Sequence, residues 1–160
     1  MPIALRLSEE HRVTGVDTSS AMLRLAKENV PGARFIHGDI LDVDLEESSF
    51  DAVVAIFVLF HLPCEEHESA LRRVWSWLRP GGRFLVTLTE DAAAPYIRHD
   101  FFGTDMYWSH LGFAESKDLL AEIGFETIQD RIVGHGYGRT FVERDERHPM
   151  VLMRKPSNRP

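Results

Sequence analysis

At 160 residues, with 44% hydrophobic and 27% charged side chains, the chain has the make-up of a soluble globular domain large enough to bury a useful core. A formal charge of −7 argues against a surface built to neutralise a phosphate backbone, so a small-molecule partner is expected and a nucleic-acid partner is not. The longest apolar run, Ala52 to Phe60, falls far short of the roughly 18 residues of a membrane span, the start lacks the regions of a signal peptide, and a lone Cys64 excludes a disulfide framework; a cytoplasmic protein without membrane contact is expected.

Ile3, Ala4 and Leu7 recur at helical spacing, and proline is tolerated in a first helical turn, so a helix is expected from Pro2 to Glu10. Val13 to Val16 is too short for a helix between polar neighbours and reads as a strand, followed by Asp17-Thr18-Ser19-Ser20, a run of N-cap residues. The helix opened there carries Met22, Ala26 and Val30 on one stripe, with Leu23 beside them, until Pro31-Gly32 stops it. Ala33 to His37 is a second short strand, closed by Gly38-Asp39. Phe50 to Phe57, apolar on both faces, reads as a strand at the sheet centre covered by helices on both sides.

Leu71, Val74, Trp75 and Leu78 fall at i, i+3, i+4 and i+7 behind Glu65, Glu66 and Glu68, with Arg79 suited to the C-terminal end of the helix they predict. Pro80-Gly81-Gly82 ends it, and Arg83 to Thr89 alternates as a strand. Glu115 to Ile123 is a further helix capped by Gly124. Phe125 to Val133 and Met150 to Lys155 close the chain as two strands without a crossover helix, hence antiparallel. The expected fold is α/β: a Rossmann-like open, mostly parallel sheet with helices on both faces, the N-terminal strand missing, and a C-terminal antiparallel hairpin. It forms one domain over residues 1–155, with a disordered tail over 156–160. Right-handed crossovers put Asp17 and Asp39 on one edge, and acidic residues closing two successive strands suit a nucleoside.

The stretch from Glu90 to Phe113 is long for a connection and rich in rings: Tyr96, His99, Phe101, Phe102, Tyr107, Trp108 and His110. It reads as a substrate cap, the alternative being a pair of short amphipathic helices over the sheet edge. His61, just past the central strand, and Glu90 or Asp91 are candidate bases; the plain alternative for His61 is a wall histidine at a helix start. His61, Cys64 and His67 recur every three residues, but that spacing sweeps round a helix instead of converging, so no metal site is expected. Arg72-Arg73 reads as a solvated helix face.

Taken in order, Val13 to Asp17, Asn29-Val30-Pro31-Gly32-Ala33, Gly38-Asp39-Ile40, Phe50-Asp51-Ala52-Val53, Leu59 to Pro63 and Leu78-Arg79-Pro80-Gly81-Gly82-Arg83-Phe84 resemble class I S-adenosylmethionine-dependent methyltransferases over nearly the whole chain. The resemblance implies S-adenosylmethionine as cofactor, with Asp17 accepting from the ribose hydroxyls and Thr18 beside it. It implies Asp39 accepting from the adenine amine, the Ile40 amide meeting a ring nitrogen and Met22 on the adenine face. The plainer roles are a helix cap for Asp17, a turn aspartate for Asp39 and a core side chain for Met22.

In related enzymes a strand and a Gly-x-Gly loop precede the helix that here begins at Pro2, and this chain shows neither. A slot is therefore expected between the strands of Val13 to Val16 and Phe50 to Phe57. Truncation of a longer enzyme is the favoured reading, with poor cofactor binding and little or no turnover; a closed-up sheet, or a homo-oligomer in which another chain fills the slot, are the alternatives. The competing functions are a non-catalytic scaffold that keeps the fold and a nicotinamide-dependent oxidoreductase. Asp39, the Pro-Gly-Gly turn and the final hairpin argue against the oxidoreductase.

Overall fold

The structure, a computed structural model, describes residues 3–101, 103–135 and 146–157. It consists of two compact units, Met1–Leu45 and Glu46–Pro160.

The first unit runs α1 (Ile3–Ser8), β1 (Thr14–Asp17), α2 (Ser20–Asn29) and β2 (Arg34–His37). β1 and β2 pair in parallel, from Thr14 opposite Arg34 to Asp17 opposite His37. Ser19 is the N-cap of α2, its hydroxyl accepting from the Met22 amide at 3.3 Å, and the helix lies against both strands. The inward stripe is Leu23, Ala26 and Val30, spaced i, i+3, i+7, and Leu23 and Val30 are buried. Met22, one position earlier, is rotated off that stripe and is 55% exposed, so the expected Met22 stripe is corrected and Met22 is no core residue.

The second unit contains β3 (Phe50–Ala55), a 3-10 turn (Leu59–His61), α3 (Cys64–Trp77), β4 (Leu78–Thr87), β5 (Ala93–Phe101), β6 (Thr104–His110), α4 (Phe113–Ile123), β7 (Glu126–His135) and β8 (Glu146–Arg154). One sheet has the order β3-β4-β8-β7. α3 is the crossover between parallel β3 and β4, and β8 pairs antiparallel with both β4 and β7, as expected of the closing strands. Phe84, Val86, Val151 and Met153 on the sheet and Leu71, Val74, Leu120 and Ile123 on the helices form a buried core. Phe125 ties its layers together, edge-on to Trp75 at 4.9 Å and 5.5 Å from Phe84 between ring centroids. Gly124 ends α4 in the left-handed conformation that the sequence predicts.

Three expectations are corrected. β3 is an edge strand, paired with β4 alone among the described residues, and its Ala52 and Val54 face is exposed where helical cover was expected. Among the described residues β1 likewise has a strand partner on one edge only. Second, β4 starts at Leu78, directly after α3, and the Pro-Gly-Gly segment bulges from within it: the ladder jumps from Phe50 opposite Leu78 to Ala52 opposite Arg83. Gly81 adopts φ +81°, and a Cβ on Gly82 would lie 2.8 Å from the Arg79 carbonyl, so the bulge requires glycine there. Lys155 closes it through its own backbone, accepting from Gly81 at 2.8 Å and donating to Gly82 at 2.9 Å. Its ammonium caps α3, donating to the Trp75 and Leu78 carbonyls at 2.8 and 2.7 Å, while Arg79, expected in that role, pairs with Asp51.

Third, the aromatic stretch is neither a loop nor a helix pair but an antiparallel hairpin, β5 with β6, with Tyr96 opposite Trp108 and Ile97 opposite Tyr107. Asp100 (φ +55°) and Gly103 (φ +84°) turn the chain at its tip, and Phe102 lies outside the described residues. Of the expected tail, Pro156 is half-buried and residues 158–160 lie outside the described residues, as does Pro2.

Candidate functional site

Ligands of open α/β sheets bind beyond the carboxyl ends of parallel strands, and each unit presents candidate residues at such an end. In the first unit Asp17 closes β1, and Asp39 stands two residues past His37, the partner of Asp17 across the ladder. Parallel pairing thus sets both carboxylates on one end of two strands about 4.8 Å apart.

The two sites are built alike. Oδ1 of Asp17 accepts from the Ser19 amide at 2.7 Å, and Oδ1 of Asp39 accepts from the Leu41 amide at 2.8 Å. Each is an Asx turn that fixes the carboxylate through one oxygen. The second oxygen of each carries no hydrogen bond among the described residues. The helix-cap alternative for Asp17 is corrected, because Ser19 performs that task. The turn role of Asp39 is real and occupies only half of its acceptor capacity. Thr18 is exposed, its carbonyl accepting from His37 Nε2 at 2.8 Å; Met22 stands exposed on the first turn of α2, and Ile40 is half-buried in the Asp39 turn.

In the second unit the strand ends of β3 and β4 meet the 3-10 turn and the hairpin. Past β3, Phe57 is held at φ +56°, a conformation that costs a bulky side chain energy, and its amide donates to Thr87 Oγ1 at 2.6 Å. Thr87 is fully buried at the end of β4. His61 then follows, half-buried, with Nδ1 donating to the Tyr107 carbonyl at 2.9 Å. A carbonyl can only accept, so this bond fixes the tautomer: Nδ1 carries the proton, and Nε2, unbonded among the described residues, is the basic nitrogen.

Rings wall this end. Trp108 lies parallel to the buried Phe60 (5.1 Å, 9°) and to Tyr96 (6.4 Å, 9°), with His61 at 4.6 Å and Phe101 at 5.5 Å edge-on. The Trp108 Nε1 atom is buried without a hydrogen-bond partner among the described residues. His110 also joins the wall, edge-on to Tyr96 at 6.2 Å, its Nδ1 donating to the Asp91 carbonyl. Tyr107 contributes its backbone, not its ring, to His61. His99 is not brought here: it pairs with Asp105 at 2.9 Å toward the hairpin tip. Glu90 pairs with Arg147 at 3.3 Å, and Asp91 is exposed.

Cys64 and His67 each bond to a partner other than His61. The Cys64 thiol accepts from Ser109 Oγ at 3.0 Å, and His67 Nε2 donates to the Leu62 carbonyl at 3.2 Å. Among the described residues no three His, Cys, Asp or Glu side chains are grouped to hold a metal. His67 is buried, and that burial pulls its pKa below the ordinary value against the opposing pull of the Leu62 and Leu59 carbonyls. It lines, with Thr87, His110 and Ser116, a cavity of about 10 Å³, room for no more than a single water. The sequence reading passed over Phe57, Phe60 and Thr87; of these only Thr87, the one polar side chain in the run from Phe84 to Leu88, carries a visible signal.

Residues 2–82 match the family described as "Methyltransferase domain". A Mycolicibacterium smegmatis protein named "Probable S-adenosylmethionine-dependent methyltransferase" is 31% identical over 137 residues, 86% of this chain and 51% of the relative. Demethylmenaquinone methyltransferase of Staphylococcus aureus is 32% identical over 89 residues, 54% of this chain and 36% of that protein. The crystal structure of a SAM-dependent methyltransferase from Methanosarcina mazei shares the fold with a TM-score of 0.82 at 20% identity, over 98% of this chain and 88% of that one. The chain spans about half the length of the curated relatives it matches. With α/β elements in the matching order and acidic residues closing β1 and following β2, the chain belongs to the class I S-adenosylmethionine-dependent methyltransferase family.

Proposed function

We propose that this chain acts in methyl transfer from S-adenosylmethionine to a small-molecule acceptor. The observation that carries the proposal is the pair of half-used carboxylates at one end of β1 and β2. Each is oriented by a backbone amide and keeps one oxygen for a ligand donor, which suits ribose hydroxyls at Asp17, with Thr18 beside it, and the adenine amine at Asp39. Ile40 would offer its turn to the ring edge, and the exposed Met22 a soft apolar face.

When bound, S-adenosylmethionine supplies an electrophilic methyl group on a sulfonium. The chain's own contribution is placement and proton control, and in-line placement at about 3 to 3.5 Å can supply about 7 to 11 kcal/mol of barrier reduction. His61 is the base in this reading. Its Nε2 takes the proton of an acceptor hydroxyl or amine while the Tyr107 carbonyl holds Nδ1–H and the imidazole orientation. Tyr96, Tyr107, Trp108 and His110 belong to the acceptor side; His99, paired with Asp105, serves the hairpin tip instead. The formal charge of −7 supports a small acceptor over a nucleic acid, and the demethylmenaquinone relative is named for a small one.

The test is incubation of the chain with methyl-tritiated S-adenosylmethionine and separate panels of small phenols, amines, RNA and protein. Label in the small-molecule fraction, at low turnover and lost in Asp17→Ala, is the expected result. Label confined to RNA or protein, or no label in any panel, overturns the proposal.

A further inference from the structure

Ser109 carries a fully buried hydroxyl on β6, and among the described residues that hydroxyl bonds to one residue of another element. Its Oγ accepts from the Cys64 amide at 3.2 Å and donates to the Cys64 thiol at 3.0 Å. Cys64 opens α3, and the first amides of a helix have no partner inside it. Pro63, at the N-cap, has no side-chain oxygen that could accept from them. A hydroxyl 45 positions along the chain takes over that task.

β6 needs an anchor at this point. The ladder pairs Ala93 with His110 and Tyr96 with Trp108, so Ala94 and Pro95 of β5 together face the single Ser109 across an irregular step. Pro95 has no N–H to give. Ser109 thus stands where the hairpin itself holds β6 least. Two residues back along the strand is Tyr107, whose carbonyl accepts from His61 Nδ1 at 2.9 Å, and His61 precedes Cys64 by three residues. Two bonds therefore join the same two short segments, one at His61 and one at Cys64. Trp108, between them on β6, stacks on Phe60. Stacked rings tolerate sliding, whereas the narrow distance and angle limits of a hydrogen bond fix position along the strand.

We propose that Ser109 is a positioning residue for His61: by pinning β6 to the first amide of α3, it sets where the Tyr107 carbonyl stands and so which ring nitrogen of His61 stays basic. With the pin removed the carbonyl drifts, Nδ1–H loses its acceptor for part of the time, and the imidazole exchanges between tautomers. A proton on Nε2 then blocks the base. This deepens the methyl-transfer reading and rests on it for the word base; the tautomer needs neither cofactor nor acceptor.

The test is nitrogen NMR of the imidazoles in alkaline buffer, together with initial rates from methyl-tritiated S-adenosylmethionine and the small phenols. The chain has eight histidines, and His61→Gln identifies the two ring signals that matter. In the parent they should be well separated, Nδ1 as a protonated nitrogen and Nε2 as an unprotonated one. In Ser109→Ala they should converge, and kcat should fall about tenfold, part of the 10²- to 10⁴-fold that a general base contributes, with both Michaelis constants within about twofold. Cys64→Pro removes the amide from the other side of the same bond at a first helical position, where proline is well accommodated, and should give the same convergence even if Ser109→Ala fails to fold. Lys155→Met, which weakens the far end of α3, should leave the two signals apart. Unmoved His61 signals in Ser109→Ala or Cys64→Pro, or equal convergence in Lys155→Met, overturn the proposal. Converged signals with an unchanged rate overturn His61 as the base and leave the pin, whereas unmoved signals with transfer lost in His61→Gln do the reverse.

Discussion

Replacing Asp17 by asparagine separates its two tasks. The amide oxygen of asparagine can still accept from the Ser19 amide, the 2.7 Å bond that orients the group, so the turn before α2 survives. What disappears is the second carboxylate oxygen, replaced by an NH₂ that cannot accept from a ribose hydroxyl. A hydrogen bond to a charged group is worth about 1.5 to 3 kcal/mol, so S-adenosylhomocysteine affinity should fall about 10- to 150-fold. Unfolding free energy should stay within about 0.5 kcal/mol. Asp17→Ala removes both oxygens; it should lose the ligand to at least the same degree and also about 1 kcal/mol of stability with the Ser19 bond. NMR titration, which reaches millimolar dissociation constants, and urea denaturation measure the two quantities. Asparagine affinity within twofold of the parent would refute the ribose role, and equal destabilisation by asparagine and alanine would refute the division of labour between the two oxygens.

His61→Gln can keep a bond to the Tyr107 carbonyl but offers no base, so methyl transfer to a hydroxyl acceptor should fall about 10²- to 10⁴-fold with S-adenosylhomocysteine affinity unchanged, as read by initial rates and titration. Burial depresses the His67 pKa below its ordinary 6.5, so the unfolded chain binds a proton before the folded one; stability should be full above about pH 6.5 and decline as the pH falls toward the folded value. Urea titrations at pH 7.5 and 5.5 should show a smaller decline in His67→Gln, and an unchanged decline would place the dependence elsewhere. Lys155→Met keeps the stem and removes the ammonium from the Trp75 and Leu78 carbonyls, with an expected loss of about 2 kcal/mol and about 4 to 8 °C in Tm by calorimetry.

Much of the fold was legible because its signals are local. The apolar period opened by Leu71, Val74 and Trp75, the cap residues after Asp17 and the left-handed glycine at 124 each announce an element within one or two turns of chain. The positions of Asp17 and Asp39 were legible for the same reason, the one closing β1 and the other following β2 by two residues. The hairpin from Ala93 to His110 was not, because its aromatic residues suit helix and strand alike, and only pairing Tyr96 with Trp108 decides between them. The tautomer of His61 depends on a carbonyl 46 positions away, and the cap of α3 on an ammonium 80 positions from Trp75. Such contacts follow from topology, to which periodicity is blind. The Met22 stripe failed for a narrower reason: i, i+4, i+8 and i, i+3, i+7 share Ala26 and Val30, and burial of Leu23 selects the second.

The bond from Lys155 to the end of α3 also bears on synthesis. A nascent chain emerging from the ribosome could wind residues 64–77 early, yet the carbonyls at the end of that segment stay without their ammonium until residue 155 has left the exit tunnel. Strand β8, which pairs with β4 on one side and β7 on the other, arrives at the same moment. The second unit therefore gains its final stability late and in one step, and a ribosome stalled before residue 155 should present it to proteases in an open, cleavable state.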